Sequence, residues 1–245
     1  MGPLVDCVYK GREKTTEGIV SFLDKICQVE LEKYIEGCYQ ELAEYVNAYD
    51  QKMQMKRENI AERGIWTAKK RYILNVHDNE GVVYAKPKLK IMGIEAVKSS
   101  TPAVCRQAIT EALNIIMTKG EDDLHKFIAD FKAKFSQMSF EEVAFPRSIQ
   151  DLTKYEREKQ KSIPIHVRGA MLYNNKVKQL KLQKKYEIIK DGEKIRFSYL
   201  KMPNPLGQNV ISSFSALPNE FGLEMYIDYD TQFEKAFMAP LNAIL

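Results

Sequence analysis

From Gly18 to Tyr49 the apolar residues fall mostly three and four positions apart: Ile19, Phe22, Leu23, Ile26, Leu31, Ile35, Cys38, Leu42, Tyr45 and Val46. That spacing gathers them on one side of a long helix. Asp24, Glu30, Glu32, Glu36, Glu41 and Glu44 occupy the other side, a pattern that predicts a core-packing helix in preference to a partner-binding one. Gly37 marks a candidate kink. Beyond this helix the period shortens. Met53–Ile60 reads as a strand, Arg63-Gly64 as a turn, and Tyr72–Val76 with Val82–Ala85 as the arms of a hairpin. The cluster His77-Asp78-Asn79-Glu80-Gly81 between those arms is hairpin chemistry. Antiparallel strands covered on one face by a long helix make an α+β unit.

The segment Gly93–Ser99 is a candidate boundary, dividing the chain into residues 1–93 and 94–245. After it Thr101 suits an N-cap and Pro102 the first helical position, where a missing N–H leaves nothing unsatisfied. Val104, Ala108, Ile109, Ala112, Leu113 and Ile116 form an apolar stripe that Gly120 ends. Glu121-Asp122-Asp123 then open a second helix with anions where its dipole favours them. Its buried face is Leu124, Phe127, Ile128, Phe131 and Phe135. Phe140–Phe145 is strand-like and stops at Pro146, and Pro164 begins another helix. Lys190-Asp191-Gly192-Glu193 reads as a hairpin turn between arms Tyr186–Ile189 and Lys194–Leu200, and Tyr229–Leu245 as a closing amphipathic helix.

At 245 residues, this is enough chain for one large domain or two small ones, and 44% hydrophobic content supports a core. No apolar run approaches the roughly 18 residues of a membrane span, and Met1-Gly2-Pro3-Leu4-Val5 lacks the blocks of a signal peptide. Neither the isolated His77, His125 and His166 nor Cys7, Cys27, Cys38 and Cys105 have zinc-ligand spacing. Such cysteines fit free thiols in a reducing cytoplasm. The net charge of +4 hides an uneven distribution. Residues 154–201 carry 14 lysines and arginines against five acids, whereas residues 202–245 carry one against five. A localised basic block beside an acidic tail points to nucleic acid.

The sharpest signal is Lys69-Lys70-Arg71, three consecutive cations leading into Tyr72-Ile73-Leu74. Cations held on a rigid sheet edge suit contacts to a phosphate backbone or to base edges. Around them stand Arg57-Glu58-Asn59-Ile60, Lys88-Leu89-Lys90-Ile91-Met92-Gly93 and Lys98-Ser99-Ser100-Thr101-Pro102. Further on come Pro164-Ile165-His166-Val167-Arg168-Gly169, Asn204-Pro205-Leu206-Gly207 and Phe233-Glu234-Lys235-Ala236-Phe237. In order and spacing these segments resemble the C-terminal part of family B DNA polymerases, especially those of T-even-type bacteriophages.

The resemblance implies an antiparallel sheet of a partial palm subdomain with its covering helix (residues 1–93), followed by a mainly helical thumb (residues 94–245). Lys69, Lys70, Arg71 and Tyr72 would grip new duplex near the primer end, with Lys70 donating into the minor groove, Lys69 on phosphate and Tyr72 supporting the primer side. Lys88 and Lys90 share one strand face and add backbone contacts. Lys98, Ser99 and Ser100 before a helix form a phosphate site. Arg168 is a phosphate fork, Gly169 permits close backbone approach, and Lys176, Lys178 and Lys235 add attraction. His166 is read as a structural hydrogen-bonding residue.

The family's metal-binding aspartates, finger motif and exonuclease motifs do not occur in the sequence. Mg2+ is therefore expected in a complete enzyme and not on this chain alone, which is expected to be inactive by itself. Glu58 stands where the family has a secondary catalytic carboxylate; a strand carboxylate paired with Arg57 or Arg63 reads equally well. Implied partners are primer–template DNA and an N-terminal polymerase chain carrying exonuclease, fingers and catalytic aspartates. No membrane is implied, and the setting is the cytoplasm of a phage-infected bacterium. A sliding clamp is a doubtful partner, because the hydrophobic docking peptide of relatives does not follow Asn242-Ala243-Ile244-Leu245. The alternative is a non-enzymatic duplex-binding or processivity protein built on a polymerase-like thumb.

Overall fold

The computed structural model describes residues 2–11, 13–94, 98–157 and 163–244, the side chains of 156 and 157 excepted. Residues 95–97 of the candidate boundary, Lys159 and Lys161 of the basic block, and Leu245 therefore lie outside the described residues. The protein is α+β, with two antiparallel three-stranded sheets among the described residues. It divides into two compact units, Met1–Met92 and Gly93–Leu245.

The first unit opens with helix α1 (Gly2–Val8), a stretch the sequence pattern leaves irregular. A continuous helical run follows: α2 (Thr16–Ile26), a π-helical turn at Cys27–Leu31, and α3 (Glu32–Tyr45). Thr15 caps it by accepting from the Gly18 N–H at 3.2 Å. The irregularity lies at the π turn, not at Gly37, and the run ends four residues before the predicted Tyr49. Its burial also departs from the pattern. Only Val20 and Ala43 of this run are buried, while Leu31, Tyr34, Leu42 and Tyr45 are exposed.

Strand β1 (Asn59–Ala68) pairs with β2 (Arg71–Asn79), and β2 with β3 (Val82–Met92). The predicted strand at Met53–Ile60 is therefore displaced, and the predicted turn at Arg63-Gly64 lies inside β1. Gly64 belongs in this strand for a steric reason. A Cβ there would meet Trp66 Cη2 at 2.5 Å and Leu74 Cδ2 at 2.8 Å. The hairpin predicted around Gly81 is present, with Glu80 and Gly81 both at positive φ (53° and 87°), as a tight two-residue reversal requires. One buried ion network ties helix to sheet. Arg57 reaches Asp24 of α2 at 2.7 Å and Asp78 of β2 at 2.5 Å, while Asp78 also accepts from the Gly81 N–H at 2.9 Å.

The second unit begins with α4 (Ala103–Thr118) and α5 (Glu121–Phe135). The N-cap of α4 is Pro102, one residue later than predicted, and Thr101 is buried. The expected strand at Phe140–Phe145 is instead a single turn, α6 (Phe140–Val143), followed by β4 (Phe145–Ser148). Ser139 and Glu142 form a capping box there, which starts a helix where the apolar pattern alone suggests a strand. After α7 (Leu152–Arg157) and α8 (Ile165–Gln179), β5 (Lys194–Tyr199) and β6 (Val210–Ser213) complete a sheet with β5 at its centre. Tyr186–Ile189 is not a strand. The buried Asn174 side chain of α8 takes both main-chain groups of Ile189 at 2.9 Å, occupying the bonds a strand partner would use.

The chain closes with α9 (Tyr229–Phe233), a π turn at Glu234–Met238 and α10 (Ala239–Asn242). Phe131 of α5 lies 4.9 Å from the Phe237 ring and 5.8 Å from those of Phe135 and Phe233. This aromatic cluster is the centre of the second unit's core. Among the described residues no helix is long and apolar enough to cross a membrane.

Candidate nucleic-acid interface

The β1–β2 reversal is made by Lys69 and Lys70, closed by the Ala68–Arg71 pair. The basic cluster is thus a hairpin tip, not a strand edge. Lys70 adopts φ 63°, a left-handed conformation that glycine or asparagine takes at less cost. Lys69, Lys70 and Arg71 are exposed, and none forms an ion pair with another described residue. Unneutralised side chains gathered on a closed two-residue turn are what an anion-gripping tip needs. Tyr72, opposite Trp66 on β1 and Met92 on β3, supports the base of this tip.

The other sequence-predicted cations divide by what they already hold. The β2–β3 register pairs Val76 with Lys88 and Leu74 with Lys90, so the two lysines do share a face. They differ in freedom. The exposed Lys88 ammonium sits 4.3 Å from the Tyr84 ring centroid. Lys90 is bonded to the Glu58 carboxylate and lies 3.4 Å from Asn79 Oδ1. Lys235 rests 5.4 Å from the Tyr199 ring. On α8, Lys176 and Lys178 occupy the last turn, where the helix dipole favours cations, and carry no ion pair among the described residues.

In the second unit Ser99 and Ser100 line a groove of about 410 Å³ together with Pro146, Arg147, Ser148 and Lys194. Lys98 immediately precedes them. Two cations and three hydroxyls, with no carboxylate among the described lining residues, make an anion-attracting cleft. Arg147, Ser148 and Lys194 escaped the sequence reading. The pairing of Ser148 with Lys194 across β4 and β5 brings them together, and no local spacing signals it. Arg168 donates to Asn209 Oδ1 at 2.9 Å, while its Nε is buried without a partner. Gly169 serves packing: a Cβ there would meet Ser212 Oγ at 2.4 Å and the Ser212 nitrogen at 3.0 Å. Ser212 Oγ also donates to the His166 carbonyl at 3.0 Å, a bond to the main chain and not to the imidazole.

Glu58 pairs with Lys90, not with Arg57 or Arg63. The hydrogen bond and charge of Lys90 hold the Glu58 carboxyl below its usual range. Glu58 lines a polar groove of about 770 Å³ with Asp24, Gln28, Glu32, Lys56, Arg57, Glu80 and Gly81. The carboxylates there are largely committed: Asp24 to Arg57, Glu58 to Lys90, and Glu32 to the Arg57 N–H at 3.1 Å. This donor set does not fit a Mg2+ site. Among the described residues there is no cluster of three or more His, Cys, Asp or Glu able to hold a metal ion.

No protein-family model matches the chain. It is 32% identical over 252 aligned positions to the DNA-directed DNA polymerase of Enterobacteria phage T4, a match covering 97% of this chain. It is 33% identical over 254 positions to that of Escherichia phage RB69, covering 98%. The chain spans 28% of the length of these curated relatives. Along nearly its whole length it is therefore similar to DNA polymerases of T-even-type phages.

Proposed function

We propose that this chain is the C-terminal palm-and-thumb portion of a family B DNA polymerase of the T-even phage type. Residues 1–93 are the later palm and 94–245 the thumb. The portion grips primer–template duplex during template-directed nucleotidyl transfer in replication, in the cytoplasm of an infected cell. Its partner is the N-terminal polymerase section with exonuclease, fingers and catalytic aspartates, whose carboxylates hold the Mg2+ that these residues do not fit. The observation that carries the reading is the unpaired Lys69–Arg71 hairpin tip, within a chain similar to polymerases over 97% of its length. The neutralised Glu58 favours a second reading, a duplex-binding or processivity protein without catalysis of its own.

The test is binding of a labelled primer–template in a salt series. With about four to six phosphates contacted, log affinity falls with log salt at a slope of about −4 to −5. Lys69→Ala removes the charge read as phosphate-facing from an exposed turn position, so it lowers the slope by about one with little change in stability. Absence of binding at low salt overturns both readings. Primer extension regained on mixing with an N-terminal polymerase section, and absent from either part alone, selects the first.

A further inference from the structure

Trp66 is the only tryptophan in the chain and is 69% exposed. Its ring lies back over its own strand: Cη2 and Cζ3 come within 2.5 and 2.7 Å of the place a Cβ on Gly64 would take. Glycine at 64 therefore leaves the room in which the ring lies against its strand. The register sets Trp66 opposite Tyr72, and Tyr72 opposite the exposed Met92. Lys69, Lys70 and Arg71 follow at the hairpin tip. An exposed indole beside unpaired cations combines the two elements of single-strand recognition, a stacking face and a phosphate attractor.

We propose that Trp66 is a stacking platform for an unpaired nucleotide next to the duplex held by the Lys69–Arg71 tip, an assignment that rests on the proposed DNA-gripping function. Bases inside a duplex are already covered on both faces. The terminal pair of a blunt end bares one face but is fixed in the helix, whereas an unpaired base can turn a free π-face onto the indole, so the platform favours an overhang over a blunt end.

The single tryptophan makes the test direct. The whole chain is titrated with a blunt duplex, a primer–template with a short overhang, and a single strand. Binding is read by anisotropy of a label on the DNA, and contact by Trp66 fluorescence. Overhang and single strand quench the indole, while the blunt duplex binds with little quenching. Trp66→Ala weakens overhang binding about tenfold and leaves blunt-duplex affinity nearly unchanged, and Trp66→Phe retains most of the overhang preference. Overhang binding without quenching, equal quenching by the blunt duplex, or an unchanged overhang affinity for Trp66→Ala overturns the platform while leaving the gripping function standing. Failure of every DNA to bind removes both.

Discussion

The two units hold themselves together by different means. Gly93–Leu245 buries rings against rings: Phe131, Phe135, Phe233 and Phe237 form one cluster, and Tyr173 packs on Phe214 and Phe221. Met1–Met92 has few such contacts. Among the described residues it contributes fifteen of the eighteen large hydrophobics that are exposed, and five of the forty buried hydrophobic residues of any size. Its organising feature is an ion network, with Arg57 and Asp78 side chains only 10% and 3% exposed. Truncating a ring in an apolar core leaves a cavity, whereas removing one partner of a buried ion pair leaves the other charge uncompensated. The same contrast holds for the basic residues. In the first unit the exposed cations stand together at one hairpin tip, while in the second Arg147 and Lys194 come from separate strands into one cleft.

The strongest way to break this comparison is to truncate one aromatic in each unit. Phe237→Ala in the second unit should cost about 3–5 kcal/mol of stability in urea unfolding. Tyr45→Ala, at a ring 86% exposed, should stay within about 0.5 kcal/mol. A large loss for Tyr45→Ala would mean that the outer stripe of α3 is covered in solution.

Arg57→Met probes the ionic side of the contrast. It removes the guanidinium between Asp24 and Asp78 and leaves the buried Asp78 carboxylate with the Gly81 N–H. The expected loss is again about 3–5 kcal/mol, chiefly from that uncompensated charge. A near-neutral result would show that the first unit does not depend on the network.

What the sequence discloses follows the same division between local and distant causes. The Glu80-Gly81 reversal, the acidic start of α5 and the four free cysteines are local matters, and composition reveals them. The α6 turn was also written locally, in the Ser139–Glu142 capping box, but strong apolar character at Phe140, Val143 and Phe145 pointed to a strand. The pairing of Glu58 with Lys90, and the cleft shared by Ser99, Arg147 and Lys194, depend on neighbours many residues away. Periodicity carries no information about them. The helical run shows the limit of an apolar stripe as a guide: it identifies the helix but not whether this chain covers it.

A pair of glycines sharpens the contrast at smaller scale. At Gly169 a methyl group would collide with Ser212, so Gly169→Ala should destabilise by about 1–3 kcal/mol. At Gly37, inside α3, nothing lies within 4 Å of an added Cβ. Gly37→Ala should therefore stabilise by about 0.5–1 kcal/mol through helix propensity alone. Opposite signs from one substitution would separate a glycine required by packing from one the fold does not require. Chemical denaturation of the two variants reads both.

The smallest expected effect is a pH dependence confined to the second unit. Burial, and then the charge of Arg147, push the His166 imidazole below its ordinary value. The folded state thus favours the neutral ring. Between the unfolded pKa of about 6.5 and the lower folded value, the unfolded chain binds more protons than the folded one. Stability from this group is full above that window, is lost as pH falls through it, and changes no further below the folded value. His166→Phe removes the titration while keeping an aromatic ring near Phe197, 6.2 Å from the native imidazole. Wild type should therefore lose stability relative to this variant as pH falls through the unfolded value of about 6.5 towards the lower folded one, since carboxylate contributions common to both cancel. Parallel decline of the two proteins in urea unfolding would show that His166 titrates as an ordinary exposed imidazole and that the burial of the α8 start does not reach its ring.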